Sequence, residues 1–228
     1  MKNYKADTER VGGGYTHLIW DFNGTILDDV QLGMDCVNLM LARRGLPVLS
    51  DREAYRRVFG FPIEEYYRRL GFNFEKEDYH TVLAPEWVKL YLAGEGDCCL
   101  HEGVTETLTA IRQRGMGQVL LSASNLGQLK CQLAHLGLSD DFEEILGLDN
   151  IHAHSKSGIA IEWRKRHPTA VPLFVGDTVH DADVADMIGA DCVLFSGGHQ
   201  SHERLIGRGK TVLSHISELI RILDESAE

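Results

Sequence analysis

The chain has 228 residues, 43% of them apolar and 25% charged, the composition of an ordinary globular protein large enough to bury a substantial core. Its apolar runs are short and broken by charge, which excludes a membrane span, and a net charge of −11 argues against a nucleic-acid backbone as partner. A small phosphorylated ligand stays open, because a bound cation and a few local donors overcome the global field at short range.

The opening "MKNYKADTER" is polar with no apolar segment behind it, so no secretory signal is expected. The five cysteines (36, 98, 99, 131 and 192) show no CxxC spacing and leave one over. Reduced thiols and a cytoplasmic location fit this better than a disulfide framework.

The first predicted strand is "HLIW" (17–20), ending at Asp21. From 29 to 98 the pattern is helical throughout, with glycines 45, 60, 71 and 94 as stops, and it contains no convincing strand. A helix follows at 103–115, then the strand "GQVLLS" (117–122), a helix at 126–137 and a short strand "EEILG" (143–147). The remainder reads as strand "VPLFVG" (171–176), helix 181–190, strand "DCVLF" (191–195) and helix 212–225. Strands apolar on both faces and separated by helices predict an α/β fold with a Rossmann-like parallel sheet. Its core would be residues 1–28 and 99–228, interrupted by an all-helical insert at 29–98.

Ligands in such sheets bind beyond the C-terminal strand ends, and polar residues cluster there: Asp21, Ser122, Asp177 and Asp181. Three carboxylates gathered at one rim repel one another, and a hard divalent cation such as Mg²⁺ relieves that. For Asp181 a helix N-terminal capping role is a live alternative.

The Asp-Phe-Asn-Gly-Thr element, Ser122, Lys156 in "HSKSG" and "GDTVHD" resemble, in order, the four motifs of the haloacid dehalogenase-like hydrolase superfamily. The helical insert is similar to the cap of its phosphoglycolate-phosphatase and β-phosphoglucomutase-like members. The resemblance implies Asp21 as a nucleophile that forms an aspartyl-phosphate, with Lys156 neutralising charge. Mg²⁺ would be held by Asp21, the backbone carbonyl of Asn23, Asp177 and Asp181. Ser122, Ala123, Gly24 and Lys156 would hold the phosphoryl group. Lys165 is a rival to Lys156, but it lies in a charged, solvated-looking run.

Most phosphatases of the superfamily carry a second aspartate, a general acid and base, where this chain has Asn23. An amide can do neither, and the loss is typically ~10²–10⁴-fold in rate. A Mg²⁺-dependent phosphatase of a small phosphorylated metabolite is therefore expected, slow or restricted to good leaving groups. The alternative is a catalytically weakened module that binds phosphate or metal. Candidate substitutes for the acid are His180, Asp28 and Asp29. Arg56, Arg57 and Tyr66 in the insert are candidate contacts to an anionic substrate portion. His152 and His154 lack companion ligands and read as loop residues rather than a zinc site. The sequence does not specify oligomeric state.

Overall fold

A computed structural model describes residues 14–148 and 155–226. The first strand, β1 (His17–Trp20), is buried on both faces: Leu18 and Trp20 enter one apolar cluster and Ile19 the other. A strand covered on both sides needs no polar alternation, which is why "LIW" is apolar throughout.

Beyond Asp21 the chain passes through β2 (Leu27–Asp28) into four helices: α1 (Val30–Arg43), α2 (Arg52–Val58), α3 (Ile63–Arg69) and α4 (Ala84–Gly94). A π-helical turn at Tyr79–Leu83 precedes α4. These helices bury their own cluster, including Val37, Met40, Leu41, Tyr66, Tyr67 and Leu83. The return strand β3 (Cys99–Leu100) pairs antiparallel with β2, so outgoing and returning chains are clasped in a short ribbon.

The chain then alternates regularly. It runs through α5 (Val104–Gln113), β4 (Gly117–Asn125), α6 (Leu126–Leu136), β5 (Glu144–Leu148) and α7 (Lys156–Arg166). It continues through β6 (Pro172–Gly176), α8 (Val179–Ile188), β7 (Asp191–Phe195), α9 (His202–Ile206), β8 (Thr211–Leu213) and α10 (Leu219–Glu225). The six-stranded sheet is parallel, in the order β5-β4-β1-β6-β7-β8. This is the α/β, Rossmann-like architecture expected. The chain moves outward from β1 through β4 to β5 and then crosses back to β6, so strand order reverses beside β1. The crevice at that reversal opens beyond the C-terminal ends of β1, β4 and β6.

Three details depart from the sequence reading. The helix expected over 212–225 is instead strand β8, a 3₁₀ turn at Ile216–Glu218 and then α10. Val212 and Leu213 pair with Leu194 and Phe195 of β7, and the open edge of the sheet overrides the helical spacing. The helix expected at 181–190 begins two residues earlier, because Thr178 caps it. Strand β4 runs on to Asn125 with its register shifted after Leu121, in the stretch where Ser122, Ala123 and Ser124 face the crevice.

Candidate active site

Asp21 is held at the sheet rim by its own N–H, which donates to the Val175 carbonyl at 2.9 Å. Asp177 follows β6, and Asp181 lies in the first turn of α8. Ser155 caps α7 by accepting from the Gly158 N–H at 3.1 Å, and this makes Lys156 the first residue of that helix. The buried Lys156 ammonium lies 2.5 Å from Asp21 Oδ1 and 2.6 Å from Asp181 Oδ1. Each of the three aspartates offers a carboxylate oxygen within 4.8 Å of the other two.

The electrostatics of this group are unbalanced. Burial drives the Asp21 carboxyl well above the usual range, opposed by Lys156 and reinforced by repulsion from Asp181 and Asp177. Burial likewise pushes Asp177 up to about 6 against the pull of His199. For Asp181 the upward push of burial is outweighed by Lys156 and by hydrogen bonds from Thr178, so it stays below the ordinary carboxylate value. Burial would depress Lys156, but the two carboxylates beside it hold its pKa above the free-lysine value.

Three buried carboxylates thus face one ammonium, a deficit of two positive charges when all are ionised. A divalent cation with a preference for hard oxygen ligands supplies that deficit, so the donor set fits Mg²⁺. The backbone is also shaped for Asp177. Gly24 has φ 74°, and a Cβ at Gly24 or at Gly198 would lie 2.3 Å from Asp177 Oδ2. The His199 N–H donates to that oxygen at 2.6 Å. Asp181 serves two ends at once: Oδ1 accepts from Lys156, while Oδ2 accepts from the Thr178 N–H and hydroxyl in a capping box. The capping role read for Asp181 belongs to Thr178, and Asp181 is its partner one turn into the helix.

Asn23 is locked by a polar network. Its amide nitrogen donates to Asp29 Oδ2 at 2.9 Å and to the Tyr91 hydroxyl at 2.7 Å, and its amide oxygen accepts from the Ser124 hydroxyl at 3.0 Å. Asp29 also accepts from the Gly24 N–H at 2.8 Å and the Tyr91 hydroxyl at 2.7 Å, and it lies 3.0 Å from His199 Nε2. Burial raises Asp29, yet His199 and these hydrogen bonds outweigh it and leave its pKa lowered. Burial depresses His199, but Asp29 beside it lifts the imidazole to about 9. The two form a buried ion pair at neutral pH with no net charge, so the deficit around Lys156 remains. The Tyr55 hydroxyl lies 2.9 Å from His199 Nδ1.

Of these residues the sequence pointed to Asp29 as a candidate acid. It gave no signal for Tyr55, Tyr91 or Ser124, whose roles arise from contacts between elements distant along the chain.

A cavity of about 610 Å³ lies between the helical insert and the sheet rim, and Ser122, Ala123, Tyr66 and His180 line it. Ser122 Oγ accepts from the Ser124 N–H at 3.0 Å, across the irregular part of β4. The His180 ring packs 4.8 Å from that of Phe61. Arg56 is not brought to the cavity. Its guanidinium donates to the carbonyls of Gly198 and Gly197 at 2.8 and 2.5 Å and tethers α2 to the loop after β7. Arg57 is exposed, and Lys165 is exposed and paired with Glu162 at 2.6 Å, leaving Lys156 as the lysine of the site. His152 and His154 lie outside the described residues.

A family model described as haloacid dehalogenase-like hydrolase matches residues 18–195. Among curated proteins, the phosphoglycolate phosphatase of Pseudomonas syringae pv. syringae (strain B728a) is 26% identical over 92% of this chain and 81% of its own length. The phosphoglycolate phosphatase of Rhodobacter capsulatus is 24% identical over 80% of this chain and 85% of its own. Among solved structures, a haloacid dehalogenase-like family hydrolase from Streptococcus pneumoniae superposes with a TM-score of 0.77 at 16% identity, covering 91% of this chain and 98% of that one. A conserved haloacid dehalogenase-like protein from Agrobacterium tumefaciens str. C58 gives 0.75 at 21% identity, covering 94% and 100%.

Proposed function

The chain belongs to the haloacid dehalogenase-like hydrolases, and from that membership we propose that it is a Mg²⁺-dependent phosphatase of a small phosphorylated metabolite. The observation that carries this reading is the convergence of Asp21, Lys156, Asp177 and Asp181 at the strand-order reversal, with a charge deficit that a divalent cation fills. The phosphoglycolate phosphatase relatives support the same reaction class. No described helix is long and apolar enough to cross a membrane, and all five cysteines are free, in keeping with a reducing cytoplasm.

In this reading Asp21 attacks phosphorus through a carboxylate oxygen. The P–O bond to the leaving group breaks with its electron pair departing on that oxygen, and a phospho-Asp21 remains. Water then attacks the same phosphorus, releasing inorganic phosphate and the free carboxylate. Lys156 holds Asp21 in place and offsets charge on the transferring group, while the Ser122 hydroxyl and the backbone N–H near Ala123 accommodate phosphoryl oxygens; the Gly24 N–H, expected from the sequence to join them, is already given to Asp29. A bound Mg²⁺, held by Asp21, Asp177, Asp181 and the Asn23 carbonyl, supplies Lewis-acid stabilisation of the phosphoryl charge. Residues 29–98 act as a cap over the core formed by 1–28 and 99–228, and between them they enclose the substrate.

Asn23 sets the limit of this chemistry, since its amide has no proton to lend the leaving oxygen. The step that suffers is departure of a poor leaving group and activation of the hydrolytic water. The same residue favours a second reading, a phosphate-binding or regulatory module without turnover. Phosphate release from a phosphomonoester panel separates them, measured with Mg²⁺, with EDTA and in Asp21→Asn. Release that needs both Mg²⁺ and Asp21, with a rapid-quench burst of acid-stable protein-bound phosphate, supports the enzyme. Binding of inorganic phosphate without release from any ester selects the module.

A further inference from the structure

We propose that the leaving group is an uncharged aromatic alcohol, so that the chain hydrolyses phosphomonoesters of phenols in preference to those of carboxylated or polyhydroxylated alkanols. This rests on the phosphatase reading and names the substrate class of that site.

Two independent observations lead there. One is the composition of the cavity wall. The insert presents Phe59, Phe61, Tyr66, Trp87, Val88 and Leu92 to the cavity. Phe61, Val88 and Leu92 remain 39%, 46% and 44% exposed, although each is a large apolar residue beside a cleft. Apolar surface left open at a concave site marks where an apolar ligand face is received.

The wall also lacks what an anionic tail requires. Lys156 is the only lysine or arginine among the described lining residues, and it is already shared between Asp21 and Asp181. Arginines of the insert are engaged elsewhere: Arg56 grips the carbonyls of Gly197 and Gly198, Arg68 pairs with Glu65 at 2.7 Å, and Arg69 donates to the Val58 carbonyl at 3.1 Å. A substrate carboxylate entering this cavity would meet aromatic carbon and four aspartates, and the remaining cation of the wall, His199, is already paired with Asp29, so the carboxylate would lose its hydration without a free cationic partner.

The second observation is the commitment of Asn23. Both the amide nitrogen and the amide oxygen are engaged, by Asp29, Tyr91 and Ser124. With no acid at position 23 and the His180 ring packed against Phe61, the leaving oxygen departs as an anion and takes its proton later from solvent. A phenol ionises with a pKa of about 10, whereas an alkanol holds its proton about as tightly as water does. Breaking the P–O bond to a phenolate thus needs little help from an acid, and breaking the bond to an alkoxide needs much. The wall selects an aromatic ring, and the amide at position 23 tolerates the oxyanion such a ring can carry.

The test compares kcat/KM, with Mg²⁺ present, for 1-naphthyl phosphate, phenyl phosphate, 2-phosphoglycolate and glycerol 3-phosphate. The two aryl esters have similar leaving groups and differ mainly in apolar area, so their ratio reads the wall; the aryl-to-alkyl ratio reads both effects. The expected order is 1-naphthyl, then phenyl, then the alkyl esters, with each aryl ester about tenfold or more above 2-phosphoglycolate. In Val88→Arg, a change at an exposed position of α4, the naphthyl-to-phosphoglycolate ratio is expected to fall. Turnover of 2-phosphoglycolate or glycerol 3-phosphate equal to or better than the aryl esters overturns this inference and leaves the phosphatase reading standing. No release from any of the four overturns that reading and the inference with it.

Discussion

The amide nitrogen of Asn23 lies 2.9 Å from Asp29 Oδ2, so position 23 already has a carboxylate pressed against it. Asp29 is ionised, paired with His199 and bonded to the Tyr91 hydroxyl. Asn23 is the residue that makes this neighbour tolerable: it donates where an aspartate would repel.

Restoring an aspartate at position 23 alone therefore should not restore an acid. Two carboxylates at hydrogen-bonding distance in a buried site share one proton, and that proton is held between them rather than offered to the leaving oxygen. Asn23→Asp is expected to lower the melting temperature and to leave alkyl phosphate turnover near that of wild type. The charge swap Asn23→Asp with Asp29→Asn keeps the total charge and is expected to raise alkyl phosphate turnover, by up to ~10²-fold. Steady-state rates on glycerol 3-phosphate for the two variants decide it, and a large gain from the single change would contradict the network described.

Mg²⁺ should stabilise the fold by filling the charge deficit around Lys156. At a concentration a hundred times Kd, binding to the native state is worth about 2.7 kcal/mol, a rise in melting temperature of several degrees that EDTA reverses. Asp177→Asn removes one uncompensated charge, so without metal it is expected to melt at or above wild type. The same variant should lose most of the Mg²⁺-dependent rise. Differential scanning fluorimetry with and without Mg²⁺ measures both.

Lys156→Ala leaves Asp21 and Asp181 buried without their shared counter-ion. Breaking a buried pair by removing one partner costs about 3–5 kcal/mol, so chemical denaturation should show a loss of that order, accompanied by loss of phosphate release. Lys165→Ala, at an exposed ion pair, is expected to change stability by less than about 1 kcal/mol.

Gly24→Ala tests the shape of the Asp177 cradle. A Cβ there would meet Asp177 Oδ2 at 2.3 Å from a backbone already in the left-handed region. The backbone conformation by itself costs an alanine roughly 1–2 kcal/mol, and displacement of the carboxylate adds to it. A Mg²⁺-induced melting shift smaller than in wild type is the expected result.

The helical insert carries its own acid sensitivity. Arg44 bridges Glu77 at 2.7 Å and Glu86 at 2.7 Å. For Glu77 the hydrogen bond from Arg44 lowers the pKa; for Glu86 burial opposes that pull but does not prevail. Carboxylates depressed in the native state contribute stability above the ordinary value of 4.5, and that contribution fades as pH falls through their lowered values. Melting temperatures of wild type and Arg44→Gln should therefore converge as pH falls below 4.5 and through the lowered values, and separate at neutral pH. An equal gap at both would show that Arg44 acts through packing on Phe72, over whose ring it lies.

The sequence by itself determined the parallel α/β core and the residues at its rim, for a simple reason. Strands buried on both faces must be apolar along their length, and a chain that ends them in Asp21, Ser122 and Asp177 announces where they end. Motif order then carried Lys156 and Asp181 to the same place. Contacts between surfaces lie outside such signals. Whether Val212 and Leu213 continue a helix or close a sheet edge depends on the unpaired side of β7, which no local spacing reports. That Arg56 would bind two glycine carbonyls and Tyr91 would cap Asn23 depended on how the insert closes over the rim. The surroundings of Asn23 were the tertiary structure's decision, because a hydrogen bond between residues 23 and 91 follows from where the helical insert meets the sheet rim, and one-dimensional periodicity has no access to that.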